Sequence, residues 1–427
     1  MNFSDSEIVA SILEEKGFRN TNNIGDADVI FINTCSIRDH AEQRVRKRLD
    51  HMQSLKRKNP RLVVGLLGCM AERLKTQLLE EEQVLDIIAG PDSYRDLPRL
   101  MEEVESGHKA VNTLLSAEET YADIAPVRYD SNGISAYISI MRGCENYCAY
   151  CVVPYVRGQE RSRDVSSIIR ESEDLFRNGY REVTLLGQNV NSYQWMLDGK
   201  KTGFAELLEK VATVNPLLRI RFATSHPKDL SDELIQTISR HKNICKSIHL
   251  PVQSGSNRIL DRMNRGYTCE QYLKRIDAIR SILPGCAIST DIITGFCDET
   301  EEDHHDTLSL MEKVGYDYAF MFRYSERPDT LAADHYQDNV PEEIKERRLR
   351  EVIDLQQKLS WQNNKKDVGK TFEVLVEGFS RRSPEHIAGR NSQNKVVVFP
   401  ATGNTPGDYV NVKISRFTSA TLLGDAV

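Results

Sequence analysis

Residues 136–158 read AYISIMRGCENYCAYCVVPYVRG, an apolar run followed by a segment that holds Cys144, Cys148 and Cys151 at the spacing C-x3-C-x2-C. The run from 136 to 141 reads as a strand, which puts the three cysteines on the loop that follows it. Three thiolates suit three irons of a 4Fe-4S cluster. A fourth cysteine would close the cluster, whereas three leave one iron open to a small molecule. The amino and carboxylate groups of S-adenosylmethionine (SAM) suit that opening. A zinc site is the plain alternative, but zinc favours four ligands and no fourth Cys or His stands in the loop.

Strand and helix patterns alternate outward from this loop to about Tyr324, with strands expected near 136–141, 181–186, 218–223, 245–250, 286–293 and 317–322. Such alternation predicts a parallel α/β domain, barrel-like in form. Upstream, a helix is expected from Glu7 to Gly17, a buried strand from Asp28 to Thr34, and a second from Leu62 to Leu67. Ser36 is expected to cap a helix with Asp39 in its first turn, and a helix from Ala71 to Leu79 follows Gly68. Cys35 and Cys69 therefore occupy equivalent strand-to-helix junctions, the edge where such sheets place ligands. Residues 105–130 read as a polar loop. After Pro341 a charged helix runs to about Lys366, and the short alternating stretches TFEVLVEG, NKVVVFP and YVNVKIS predict a small β-barrel.

Composition bounds the function classes. The 427 residues are 40% hydrophobic and 28% charged, ordinary for a globular chain, and the longest nearly apolar run, Leu62 to Met70, is too short for a membrane span. MNFSDSE lacks the pattern of a secretory signal, so a cytoplasmic protein is expected. Nine cysteines in such a setting point to metal thiolates rather than a disulfide framework. The net charge is −7, yet residues 365–427 carry nine Lys+Arg against six Asp+Glu, a local +3.

With Tyr150 before its last cysteine, the loop resembles the signature of the radical SAM superfamily. The finer motifs are similar to those of MiaB-type tRNA methylthiotransferases: NTCSIRDHAE around Cys35, LLGC around Cys69, MRGCENYCAYCVVPYVRGQERSR, LLGQNVNSY, TSHP, LPVQSGS, TDIITGF and YSERPDTLAA. The resemblance covers the whole chain. It implies an N-terminal α/β methylthiotransferase domain over 1–110, a linker over 111–130, a partial β/α (TIM-like) radical SAM barrel over 131–362, and over 363–427 a TRAM domain, a small RNA-binding β-barrel. Gly389-Arg390, the VVVF strand and Gly407-Asp408-Tyr409-Val410 carry the TRAM likeness.

Family members hold a second 4Fe-4S cluster on three N-terminal cysteines. Cys35 and Cys69 match two of them, and the third falls two residues before Met1, in a strand ending Cys-Gln-Met-Asn. A cluster on Cys35 and Cys69 alone would be weak or would need another ligand. Without the resemblance, both are equally readable as buried core thiols. The implied reaction replaces the C2 hydrogen of N6-isopentenyladenosine at tRNA position 37 with a methylthio group, one SAM giving the methyl and another the radical. Its implied partners are tRNA bearing N6-isopentenyladenosine, an electron donor such as flavodoxin or ferredoxin, and a sulfur donor, with no membrane. Rival readings are methylthiolation of threonylcarbamoyladenosine in tRNA or of a ribosomal protein, and a non-catalytic RNA-binding iron-sulfur protein.

No catalytic side chain is assigned. Tyr150, Gln188, Ser225, Gln253 and Asp291 are candidates to bind SAM, the last four standing at or just beyond strand ends where parallel barrels build their sites; hydrogen bonding within the barrel is the alternative. Arg157, Arg161 and Arg163 suit phosphate or carboxylate recognition, or are solvated charges. Lys370, Arg381, Arg382, Arg390, Lys395 and Lys413 are candidate RNA phosphate contacts. Cys245, Cys269, Cys286 and Cys297 show no ligand spacing, and Asp303-His304-His305-Asp306 reads as a solvated helix start rather than a metal cluster.

Overall fold

The computed structural model describes residues 1–427 apart from 36–38, 76, 130–131 and 382, and describes 39–41 by their backbone alone. The expected cap Ser36, the side chain of Asp39 and the candidate Arg382 lie outside the described residues, while the backbone of Asp39 opens a helix. Two compact units divide the chain: Met1–Tyr129 with Met141–Arg163 and Arg327–Thr330, and Asp130–Ile140 with Asp164–Glu326 and Leu331–Val427.

The first unit is built on a parallel sheet in the order Val29–Thr34, Val63–Gly68, Ile87–Ala89, Ala110–Asn112. Its strands are apolar on both faces because helices cover both. Helices Asn2–Glu15 and Leu97–Glu105 bring Ile8, Val9, Ile12 and Leu97 against Leu67, Ile87 and Ala89. Helix Asp39–Lys58 lays Val45, Leu49 and Met52 on Ile32, Val64 and Ile88. Each such side chain, once buried, stabilises the unit by roughly 1.5–3 kcal/mol.

Three expectations are corrected here. The first helix begins at Asn2 rather than Glu7. The helix expected over 71–79 is two short ones, Cys69–Leu74 and Gln77–Glu81, because Lys75 turns into the left-handed region at φ 47. The polar stretch 105–130 contains the fourth strand, which Ala110 joins by donating to the Asp86 carbonyl at 2.8 Å.

The cysteine loop belongs to this unit. Met141–Arg142 pairs antiparallel with Arg161–Ser162, so the loop closes on a two-stranded base, and helix Val153–Arg157 forms its second half. Gly143 is obligatory: its φ is 80, and a Cβ there would sit 1.9 Å from the Gln159 carbonyl oxygen.

In the second unit, strands Ser135–Ser139, Glu182–Leu186 and Arg219–Phe222 form one parallel sheet, and Ser247–His249, Ala287–Thr294 and Tyr318–Arg323 another. An isolated parallel bridge, Ile220 to Ile244, links the first sheet to the segment that leads into Ser247–His249. Neighbouring strands thus follow chain order, and the intervening helices make this a partial β/α barrel. All six strands stand where the sequence pattern puts them.

Helix Glu342–Lys365 leads to a closed five-stranded barrel, in the order Thr371–Ser380, Ser383–Asn391, Val396–Pro400, Thr421–Ala426, Tyr409–Phe417, filled by Val374, Val376, Ile387, Phe399, Val412 and Leu422. This small barrel is docked on the amino ends of the parallel strands. Tyr409 donates to the carbonyls of Arg181 and Leu217 at 3.1 and 2.9 Å, and Arg221 donates to the Asn391 carbonyl at 2.9 Å.

Candidate metal centre and active site

Strands Val29–Thr34 and Val63–Gly68 are paired in register, Thr34 opposite Gly68, so Cys35 and Cys69 leave the same sheet edge side by side. Gly68 makes the turn at φ 88, and a Cβ on it would meet the Asn33 side chain at 2.6 Å. Cys69 then opens its helix as a buried thiol; burial raises its pKa although Arg157 acts against that. Arg157 Nε donates to Cys69 Sγ at 3.2 Å, and Val152 and Val156 pack on the same sulfur-bearing residue. The cysteine loop and the N-terminal cysteine site therefore touch within one unit.

Arg157, Arg161 and Arg163 are all buried, which corrects the reading of solvated charges. Arg157 pairs with Asp5 at 2.7 Å, Arg142 with the same carboxylate at 2.8 Å, and Arg161 with Asp92 at 3.1 Å. Burial pushes the Asp5 carboxyl up, but Arg142 and Arg157 outweigh it and hold the pKa at about 2. The arginines thus recognise carboxylates of this chain. One carboxyl in the neighbourhood is less well paired: Glu72, in the first turn after Cys69, is raised to about 7, chiefly by burial against the opposing pull of Lys75, whose Nζ lies 3.9 Å from Oε1, and its Oε2 has no hydrogen-bond partner.

Within the loop, Cys144 N–H donates to the Gly158 carbonyl at 3.1 Å and Cys151 N–H to the Cys148 carbonyl at 2.9 Å, so the backbone orders all three cysteine positions. Asn146 Nδ2 lies 3.5 Å from Cys144 Sγ, a donor of the kind that tunes cluster sulfurs. Burial raises the Cys144 thiol. None of the three is in a disulfide, and three thiolates are a donor set that fits three irons. Among the described residues, no three Cys, His, Asp or Glu side chains already converge as a metal-holding group.

The second unit holds the other candidates. Gln253 sits at φ 74 and donates its N–H to the Asp291 carbonyl at 2.9 Å, which brings these two together, with His249 Nε2 3.3 Å from the Asp291 carboxylate. Gln188 Oε1 and Ser225 Oγ are buried without a hydrogen-bond partner. So are side-chain atoms of Asn189, Asn191 and His226, three residues within the quoted motifs that no sequence signal singled out. Each such unpaired group costs about 1–3 kcal/mol unless a ligand or water satisfies it. His226 is held neutral: burial first, then Arg265 and Lys228, lower its pKa to about 2. A cavity of about 930 Å³ opens inside this unit, lined by Tyr137, Thr184, Arg221, His249, Tyr318 and Phe320 among others.

The run Asp303-His304-His305-Asp306 does open a helix, Glu301–Val314, with His305 and Asp306 exposed, but Asp303 and His304 are buried, which corrects the solvated reading for these two. Asp303 accepts from Thr300 N–H at 2.8 Å, and His304 Nε2 meets Glu351 at 2.7 Å. Of the candidate RNA contacts, Lys395 is committed to Asp317 and Asp367, Lys370 to Asp367, and Arg390 lies 3.4 Å from Glu377; Arg381 and Lys413 are exposed, as is Arg416.

Comparison with known proteins supplies the deciding observation. The chain is 59% identical over its whole length to tRNA-2-methylthio-N(6)-dimethylallyladenosine synthase of Amoebophilus asiaticus, covering 90% of that protein, and 57% identical to the synthase of Parabacteroides distasonis, covering 93% of it. The chain belongs to this synthase family. Within it, residues 138–311 match the Radical SAM superfamily, 1–90 the uncharacterized protein family UPF0004, and 365–427 the TRAM domain. Among solved structures, the radical SAM methyltransferase TsrM from Kitasatospora setae aligns with a TM-score of 0.56 at 14% identity, covering 74% of this chain and 69% of that one, a likeness of fold alone. The chain is thus a radical SAM enzyme of the methylthiotransferase kind, and that membership implies a 4Fe-4S cluster and SAM. No helix among the described residues is long and apolar enough to cross a membrane.

Proposed function

We propose that this chain converts N6-isopentenyladenosine at tRNA position 37 to its 2-methylthio derivative. The observation that carries the reading is the full-length identity to synthases named for this product. The division of labour follows the sequence expectation: residues 1–110 as the methylthiotransferase domain, 131–362 as the radical core, 363–427 as the RNA-binding barrel, with 111–130 between the first two.

Cys144, Cys148 and Cys151 are the ligands for the 4Fe-4S cluster, and Cys35 and Cys69 contribute to a second cluster. When bound, the cluster and SAM supply a 5'-deoxyadenosyl radical, the reagent needed at an adenine carbon whose hydrogen is not acidic enough for base chemistry. The protein's part is to orient. Asn146 aims a donor at Cys144, and Arg157 aims one at Cys69. Tyr150, Gln188, Ser225, Gln253 and Asp291 hold SAM, the orphaned oxygens of Gln188 and Ser225 accepting or donating to its polar groups. Arg381, Lys413 and Arg416 meet RNA phosphates. An electron donor of the flavodoxin or ferredoxin class and a separate sulfur donor complete the reaction, which this reading places in the cytoplasm beside its tRNA.

The test is nucleoside mass spectrometry after incubation of the anaerobically reconstituted chain, SAM and reductant with tRNA carrying isopentenyladenosine, tRNA carrying threonylcarbamoyladenosine, and ribosomal protein. A methylthio adduct on the first alone is expected. An adduct on either of the others alone, or SAM cleavage with no adduct, overturns the reading.

A further inference from the structure

We propose that the amide of Asn191, on the turn beside the one that carries Ser225 and His226, reads the N6–H/N7 edge of an adenine at the carboxyl edge of strands Glu182–Leu186 and Arg219–Phe222. The inference rests on the function proposed above, which brings two adenines to this protein, that of SAM and that of the tRNA base.

These two strands are neighbours, with Leu185 opposite Phe222, so the turns that follow them lie side by side. Val190 N–H donates to the Thr224 carbonyl at 3.0 Å and ties the two turns together. Asn191 sits on the single helical turn Val190–Ser192, and both atoms of its amide, Oδ1 and Nδ2, are buried without a hydrogen-bond partner. Ser225 and His226 are themselves 4% and 5% exposed, and Ser225 Oγ and His226 Nε2 are likewise unpartnered. Lys228 N–H donates to His226 Nδ1 at 3.3 Å, which leaves the proton of the neutral ring on Nε2, a second donor. Thr224 holds φ at 71, a backbone state that a threonine avoids unless its surroundings impose it.

The chemistry of this set is specific. An amide offers one donor and one acceptor in a plane, and adenine presents the complement, an acceptor at N7 beside a donor at N6. Guanine presents two acceptors on that edge and would leave the Asn191 oxygen facing O6. Alkylation of N6 still leaves one N–H, so an isopentenylated base satisfies the same pair.

Equilibrium binding to the reconstituted full chain separates the two sources. One arm compares S-adenosylhomocysteine with its 7-deaza analogue; the other compares an isopentenylated anticodon stem-loop with the same RNA carrying the 7-deaza base. In one arm the unsubstituted protein is expected to bind the 7-deaza probe roughly five- to tenfold more weakly, and Asn191→Ala to bind both members of that pair alike. That arm identifies which adenine is read. Asn191→Asp, which keeps the shape but loses the donor to N7, is expected to lose the same discrimination and serves if the alanine variant fails to fold. No discrimination in either arm, or discrimination that survives in both variants, overturns the proposal. Because binding is read without turnover, a failure to form methylthio product in the parallel assay counts against the proposed function and leaves this test intact.

Discussion

Glu72 stands one turn beyond Cys69 with a carboxyl oxygen that nothing partners, and its raised pKa is a statement about stability. The folded protein holds the proton more tightly than the unfolded chain, so this group is stabilising below the ordinary value of 4.5 and that stability is lost as pH rises through about 7. Glu72→Gln is therefore expected to raise stability by about 1–3 kcal/mol at pH 8, and to leave it nearly unchanged at pH 4.5, as measured by chemical denaturation of the metal-free protein at the two pH values. Nothing in LLGCMAERL announces this carboxyl as different from a solvated one, since its state depends on the close approach of Gly90 from another part of the sheet. The same holds for Arg157 and Arg161. Their type and order are visible in the sequence, but their partners Asp5 and Asp92 are brought to them only by the fold. The three loop cysteines are proposed from their spacing, which is itself the signal.

At the scale of elements, the parallel strands were legible because strands covered on both faces are short apolar runs between breakers. Strand Ala110–Asn112 was not, being three residues long and held by backbone hydrogen bonds that leave no pattern in side chains. The break at Lys75 was also invisible, because a left-handed lysine has no sequence signature. Docking of the small barrel is a further property of elements that the sequence conceals. Tyr409 contributes to it through one hydroxyl placed between two carbonyls while its ring covers Arg219 at 5.0 Å, beside the bond from Arg221 to the Asn391 carbonyl. Tyr409→Phe keeps the ring and removes the hydroxyl, and is expected to cost about 1 kcal/mol, with faster amide exchange at the neighbouring residues 181–183 and 217–219. Unchanged exchange there would mean that the barrel is held by other contacts.

For the whole molecule, the sign of the charge is a poor guide to its partner. The chain is net negative, while the positive charge of residues 365–427 includes Lys395, paired with Asp317 and Asp367, and Lys370, paired with Asp367. The exposed Arg381, Lys413 and Arg416 remain, and the double variant Arg381→Glu, Lys413→Glu is expected to weaken tRNA binding and to flatten its salt dependence by about two charges' worth of slope. An unchanged slope would move the RNA interface elsewhere.

The central claim is that a radical made from SAM removes the hydrogen at C2 of the isopentenylated base, and isotope transfer tests it most directly. The reconstituted chain is given SAM, reductant and tRNA in which that base carries deuterium at C2, and both the 5'-deoxyadenosine and the modified nucleoside are weighed. Deuterium in the 5'-deoxyadenosine together with a methylthio nucleoside that has lost it is the expected result, with neither formed by Cys144→Ala. A methylthio product accompanied by unlabelled 5'-deoxyadenosine, or one that keeps its deuterium, contradicts the account.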